Sequence, residues 1–249
     1  MRKNSFGELT GIMKTLRGKN GCPWDRKQSH KSLTPYLIEE TYELLEAINS
    51  GQASAVKEEL GDVLLQVVFH AQIASEKGLY DIDDVIRGVN EKLISRHPHV
   101  FAGKKGIKTP AHVRQIWEKN KKEKKKRDSI IDGVPVSMPR LLRARRLVSK
   151  AGSAGFKWEK PEGALKKTEE EFRELKNEIK SGKKAAVKEE LGDLLFALCA
   201  LSYYRGIDPE DALRLANNKF IKRFKKVEKG LKKGIKEKEL TALWEKAKK

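Results

Sequence analysis

The residues AVKEELGD occupy positions 55–62 and recur letter for letter at 186–193, and a second acidic group precedes each copy, EETYE at 39–43 and EEFRE at 170–174. Placed on a helix at 100° per residue, Glu39, Glu40 and Glu43 fall at about 0°, 100° and 40°, beside Leu37, Leu44 and Ile48 at about 140–180°. Glu58, Glu59 and Asp62 repeat that arc at about 0°, 100° and 40°, beside Leu60, Val63 and Val67. A Ser-Gly pair stands between the acidic motifs of each copy, Ser50-Gly51 and Ser181-Gly182. A turn there folds the helices back so that two acidic arcs face one another. Clustered carboxylates that lose hydration repel, at a cost of roughly several kcal/mol per uncompensated buried charge. Protonation or a bound cation must relieve that repulsion, and an all-oxygen donor set suits hard Mg²⁺, with Mn²⁺ as a substitute. The competing reading of a lone Glu-Glu pair is a solvated helix face. The second acidic motif, and the repetition of the whole arrangement, favour a metal site. A di-iron bundle calls for Glu-x-x-His, and none of the five histidines has a Glu three residues before it.

Cations recur too. Lys92 and Arg96 have counterparts in Lys219 and Arg223. An i, i+4 Lys/Arg pair lies on one helix face and combines a point charge with a planar fork, which suits adjacent phosphates; ordinary surface charge is the alternative. Trp117 and Trp244 each follow the arginine by 21 residues (96 to 117, 223 to 244). Either a nucleobase stack or a place in the core accounts for them. No GxxxxGK[ST] occurs, so a P-loop is absent.

These groups need elements to position them, and the repeat supplies the plan. The offset is 131 residues (39 to 170) through the acidic motifs. It becomes 127 (90 to 217) further on, where NEKLISR matches NNKFIKR and WEKNKK matches WEKAKK. Upstream, Trp24 of GCPWD pairs with Trp158 of GFKWE. The expected fold is all-α, two tandem helical-bundle domains related by internal duplication, at residues 1–120 and 135–249 with a basic linker over 121–134. Helices are expected from Pro35 to about Asn49, over about 54–77, 83–95 and 109–117, then near 138–150, 162–180, 184–204, 209–228 and 237–248. VLLQVVF after Asp62 and LLFALCAL after Asp193 are apolar on nearly every face, which predicts deep burial of both segments.

Composition bounds the rest. A formal net charge of +19, with a dense block KNKKEKKKR at 119–127, suits a polyanionic partner such as a nucleotide or a nucleic acid. A basic helical nucleic-acid-binding protein with structural acids is therefore the alternative reading. Its weakness is that the acids recur letter for letter and the lysine block does not. Cys22 and Cys199 form no CxxC pair. The longest apolar run, eight residues, is too short to span a bilayer. A cytoplasmic protein without a membrane partner is expected.

GCPWD, EETYE with EELGD, SRHPHVF (95–101) and the second EEFRE with EELGD resemble the MazG family of nucleoside triphosphate pyrophosphohydrolases over nearly the whole chain. The resemblance implies an all-α homodimer that hydrolyses an NTP to NMP and pyrophosphate with Mg²⁺, with broad specificity in clearing noncanonical nucleotides. It implies metal ligands Glu171, Glu174, Glu190 and Asp193 in a more active C-terminal domain, with Glu40, Glu43, Glu59 and Asp62 as the N-terminal set. Lys219, Arg223 and Trp244 are the implied nucleotide contacts, with N-terminal counterparts Lys92, Arg96 and Trp117. Glu170 and Glu189 lie nearby as candidate general bases.

Overall fold

The computed structural model describes residues 5–103, 109, 112–113, 116–117, 128–232 and 234–248. Every regular element among them is helical. The chain divides into two compact units, Met1–Lys105 and Gly106–Lys249. The block at 119–127, and with it the first half of the expected linker, lies outside the described residues.

In the first unit α1 (Ser5–Arg17), the short α2 (Pro23–Lys27), α3 (Thr34–Ser50), α4 (Ala53–Ser75), α5 (Ile82–Arg96) and the single turn α6 (Pro98–Phe101) follow in order. Pro35, which lacks a backbone donor, sits in the first turn of α3. The helix stops where Gly51 turns left-handed at φ 72°, a conformation glycine adopts without steric cost. The Ser50 hydroxyl donates to the Ala47 carbonyl at 2.7 Å and accepts from the Gln52 N–H at 3.2 Å. Only Gly51 and Gln52 separate α3 from α4, so the two helices form a tight antiparallel hairpin. Asp81 and Asp84 close a reciprocal capping box on α5. Met13, Leu33, Val68, Phe69 and Ile73 form the core, with Phe6, Leu9, Leu65 and Ile82 packed against it.

Helices of the second unit are α7 (Arg140–Ser153), α8 (Pro161–Ser181), α9 (Lys184–Tyr204), α10 (Pro209–Glu228) and α11 (Glu237–Lys248). The α8–α9 turn repeats the first: Gly182 has φ 71°, and the Ser181 hydroxyl donates to the Glu178 carbonyl at 2.8 Å. Small buried side chains, Ala164, Ala197, Cys199 and Ala200, let α8 and α9 approach closely. Asp208 caps α10 and pairs with Arg145 of α7 at 3.0 Å. Ahead of α7, the Thr109 hydroxyl accepts from the His112 N–H at 3.3 Å, and Trp117 is helical and half-buried.

Helix positions follow the periodicity closely, and the predicted deep burial of the apolar runs holds for Val68, Phe69, Ala197, Cys199 and Ala200 but not for Leu64, Val67, Leu195, Phe196 and Leu198. Leu60, Leu64 and Val67 on α4 are 53%, 40% and 39% exposed, and their repeat counterparts Leu191, Leu195 and Leu198 on α9 are 46%, 46% and 44% exposed. Each hairpin is covered by neighbouring helices on one side only. An i, i+4, i+7 apolar stripe therefore stays open in both copies.

Candidate metal centre

Folding of α8 against α9 brings the Glu171, Glu174 and Glu190 carboxylates together, with one oxygen from each within 4.8 Å of the others. Glu171 and Glu174 stand three residues apart on one face, and the hairpin turn sets Glu190 opposite them. In the first unit Glu40, Glu43 and Glu59 form the same group at the same spacing. Glu171 is buried, Glu174 and Glu43 are exposed, and the other three are half-buried.

The electrostatics match the crowding. Burial, then Glu174, Glu171, Asp193 and Glu189 in falling order, pushes the Glu190 carboxyl above the usual carboxylate range. Glu40 is raised by burial and then by Asp62, Glu43, Glu59 and Glu39. Glu59 is raised by burial and then by Glu43, Asp62 and Glu58. Asp62 and Asp193 thus act on their clusters by charge while lying outside the groups of three. The two triads, with the charge of Glu190 in one and of Glu40 and Glu59 in the other disfavoured by their neighbours, form donor sets that a hard divalent cation fits.

The two centres differ in one residue that sequence reasoning overlooked. Lys167 Nζ stands 2.6 Å from Glu170 and 2.8 Å from Glu171. Those hydrogen bonds hold the ammonium above the ordinary lysine range, and Lys167 in turn lowers Glu170. Its spacing, i to i+3 and i+4, was visible in the sequence. At the repeat offset the first unit carries Tyr36 instead. Of the two base candidates, Glu170 is therefore held by a cation, whereas Glu189 is exposed and makes no ion pair among the described residues.

The expected nucleotide-binding residues are placed as follows. Lys219 is exposed and Arg223 half-buried on α10; Lys92 is exposed and Arg96 is 7% exposed on α5. No ion pair among the described residues joins Lys219 or Arg223 to Glu171, Glu174 or Glu190. Trp244 of α11 packs on Phe220, next to Lys219, with ring centroids 5.5 Å apart and planes tilted by 45°. Trp117 falls in the second unit, whereas Lys92 and Arg96 belong to the first. Two further features had no sequence signal. Nδ1 of His30, just ahead of α3, meets Nδ1 of His70, on α4, at 2.8 Å, and their rings are stacked within 2° of parallel. The buried Arg17 side chain bonds Glu76 through Nε and Nη2 at 2.8 and 2.7 Å and also donates to the Asp25 carbonyl.

The domain described as "MazG nucleotide pyrophosphohydrolase domain" matches the chain twice, at residues 28–101 and 159–228. Each match contains one acidic hairpin and its Lys/Arg pair; Trp117 and Trp244 fall outside. The nucleoside triphosphate pyrophosphohydrolase/pyrophosphatase MazG of Thermotoga maritima is 49% identical over 251 aligned positions, covering 98% of this chain and 95% of the relative. The nucleoside triphosphate pyrophosphohydrolase of Escherichia coli (strain K12) is 40% identical over 232 positions, covering 91% and 88%. Bacillus subtilis protein YabN, named as uncharacterized, is 42% identical over 228 positions, covering 90% of this chain and 46% of its own length.

Proposed function

The chain belongs to the MazG nucleotide pyrophosphohydrolase family, and from that premise we propose that it hydrolyses nucleoside triphosphates to the monophosphate and pyrophosphate, using Mg²⁺ held by Glu171, Glu174, Glu190 and Asp193. The observation that carries this reading is the meeting of three carboxylates from two helices within 4.8 Å, repeated in both units. Mn²⁺ is the expected substitute, since it takes the same oxygen donors. The N-terminal set Glu40, Glu43, Glu59 and Asp62 forms an equivalent site. The catalytic set is Glu170, Glu171, Glu174, Glu189, Glu190 and Asp193. Domain limits of 1–120 and 135–249, joined by 121–134, accompany this reading, as does a cytoplasmic setting; no described helix is long and apolar enough to cross a membrane.

Bound metal supplies charge neutralisation on the triphosphate. Lys219 and Arg223 hold phosphate oxygens, so that positive charge is already in place where negative charge develops. Lys92 and Arg96 play that part in the N-terminal domain, and Trp244 contributes aromatic surface in the C-terminal one. Glu189 takes the proton from the attacking water, because Lys167 makes Glu170 the weaker base. Cleavage of the bond between the first two phosphates leaves pyrophosphate as the leaving group. Homodimerisation fits the open stripes of Leu60, Leu64 and Val67 and of Leu191, Leu195 and Leu198, which a second copy would cover.

Stacking and charge contacts read little of a base's edge, which accords with broad specificity and the removal of noncanonical nucleotides. The test is a panel of canonical and modified NTPs with Mg²⁺, scored for pyrophosphate against orthophosphate. Pyrophosphate with the matching monophosphate is expected. Orthophosphate as the sole direct product overturns the reaction assigned.

A further inference from the structure

Trp158 lies just ahead of α8 with its ring resting on Gly163. A Cβ at residue 163 would come within 2.4 Å of Trp158 Cδ1 and 2.7 Å of Cγ, so only a residue without a side chain lets the indole lie on the helix. Tyr204, at the end of α9, meets the indole edge-on at 5.6 Å between centroids and 71° between planes. The Tyr204 hydroxyl also accepts a hydrogen bond from the Trp158 backbone N–H at 3.1 Å. Despite this bracing the residue is 38% exposed. A tryptophan held by three contacts yet left open presents a fixed aromatic surface.

Its position relative to the acids follows from helix geometry. Measured from Gly163, Glu170 and Glu174 lie within about 20° around the helix, Lys167 at about 40° and Glu171 at about 80°. At 1.5 Å per residue, Glu171 stands about 12 Å and Glu174 about 16 Å further along the axis. Indole and carboxylates thus share one side of α8, separated by the reach of an extended nucleotide from base to outer phosphates.

The first unit repeats the device with different parts. Trp24, 49% exposed, is met edge-on by Tyr36 at 5.8 Å and 77°. Tyr36 precedes Glu40 by one turn on the acidic helix, whereas Tyr204 comes from the other helix of its hairpin. An open, edge-braced tryptophan at the entrance to the acidic face therefore recurs through two unrelated contacts.

We propose that Trp158 is a base-stacking residue of the C-terminal site, taking one face of the heterocycle of a nucleoside triphosphate whose phosphates reach Glu171, Glu174 and Glu190. The assignment rests on the pyrophosphohydrolase reading above for the identity of the ligand. An aromatic face accepts any base, so the residue contributes affinity without choosing among bases.

The experiment compares wild type with Trp158→Ala and Trp158→Phe, by steady-state kinetics and by calorimetric titration with adenosine monophosphate and, separately, pyrophosphate. Loss of one stacked base weakens binding about fivefold to 150-fold. Trp158→Ala is expected to raise KM for purine and pyrimidine NTPs by that factor with kcat held within about twofold. Affinity for adenosine monophosphate should fall in step, pyrophosphate affinity should not change, and Trp158→Phe should recover most of the loss. Unchanged monophosphate affinity in Trp158→Ala overturns the proposal, as does an equal loss for monophosphate and pyrophosphate, which would mark a structural role. If wild type releases no pyrophosphate from any NTP, the reaction assignment falls, and the two titrations still decide the role of Trp158.

Discussion

Replacing Glu171 with Gln removes one charge from the C-terminal triad while keeping its volume. The three carboxylate oxygens lie within 4.8 Å of one another, so a single point exists within about 2.8 Å of all three. A divalent ion there attracts each carboxylate by about 3 kcal/mol even in the dielectric of bulk water, equivalent to roughly a 150-fold change in affinity. Glu171 is only 7% exposed, which strengthens the attraction, while the Lys167 ammonium 2.8 Å away opposes it, so the bulk-water figure serves as the working magnitude. The fold should survive: Lys167 keeps Glu170 as a partner at 2.6 Å, and the glutamine amide oxygen can still accept from its ammonium. Calorimetric Mg²⁺ titration should resolve two classes of site in wild type. In Glu171→Gln one class weakens by about 150-fold, with the helical circular dichroism unchanged. Pyrophosphate release should then need correspondingly more Mg²⁺. If both classes keep wild-type affinity in a folded variant, the triad is not a metal centre.

Comparing Glu43→Gln with Glu174→Gln under saturating NTP separates one working centre from two: a loss of about 100-fold or more confined to Glu174→Gln is expected, and equal losses argue against a dominant C-terminal site. Leu195→Glu places a charge in the middle of the open α9 stripe, so light scattering should report a shift from dimer toward monomer with the helical content retained; an unchanged mass rejects that stripe as the interface. Burial and then His30 hold the His70 imidazole below its ordinary value of 6.5. The unfolded chain accordingly takes up its proton first, and the contribution of His70 to stability is full above pH 6.5 and is lost as pH falls through the lowered folded value. Melting temperatures between pH 8 and about pH 5 should show that decline in wild type, with a shallower slope in His70→Phe; identical slopes refute the assignment.

Helices and their ends were legible because they depend on local chemistry. Gly51 and Gly182 take left-handed φ at the turns the sequence marked, and Pro35 opens α3 as its fixed φ demands. The acidic helix faces were legible for the same reason, since i, i+3 spacing sets carboxylates on one side of each helix; which three of them meet, with Asp62 and Asp193 outside the groups, was not. Burial of the apolar runs was misjudged at Leu64, Val67, Leu195 and Leu198. Periodicity shows that a face is apolar and does not count the helices available to cover it. Lys167 was overlooked although its spacing was in plain view, because a lysine beside glutamates is common on helix surfaces. The stacked His30 and His70, and Arg17 reaching Glu76, join residues far apart in the chain and left no local pattern.

The sequence by itself determined the duplication, the all-helical content and which carboxylates share a face, since each follows from spacing along a helix of fixed pitch. Only the tertiary structure decided which acids come within reach of one ion, which cation stands among them, and where an indole can rest on a helix that lacks a side chain. Those outcomes depend on how closely two helices approach and on which neighbours are absent, and a linear pattern carries neither quantity.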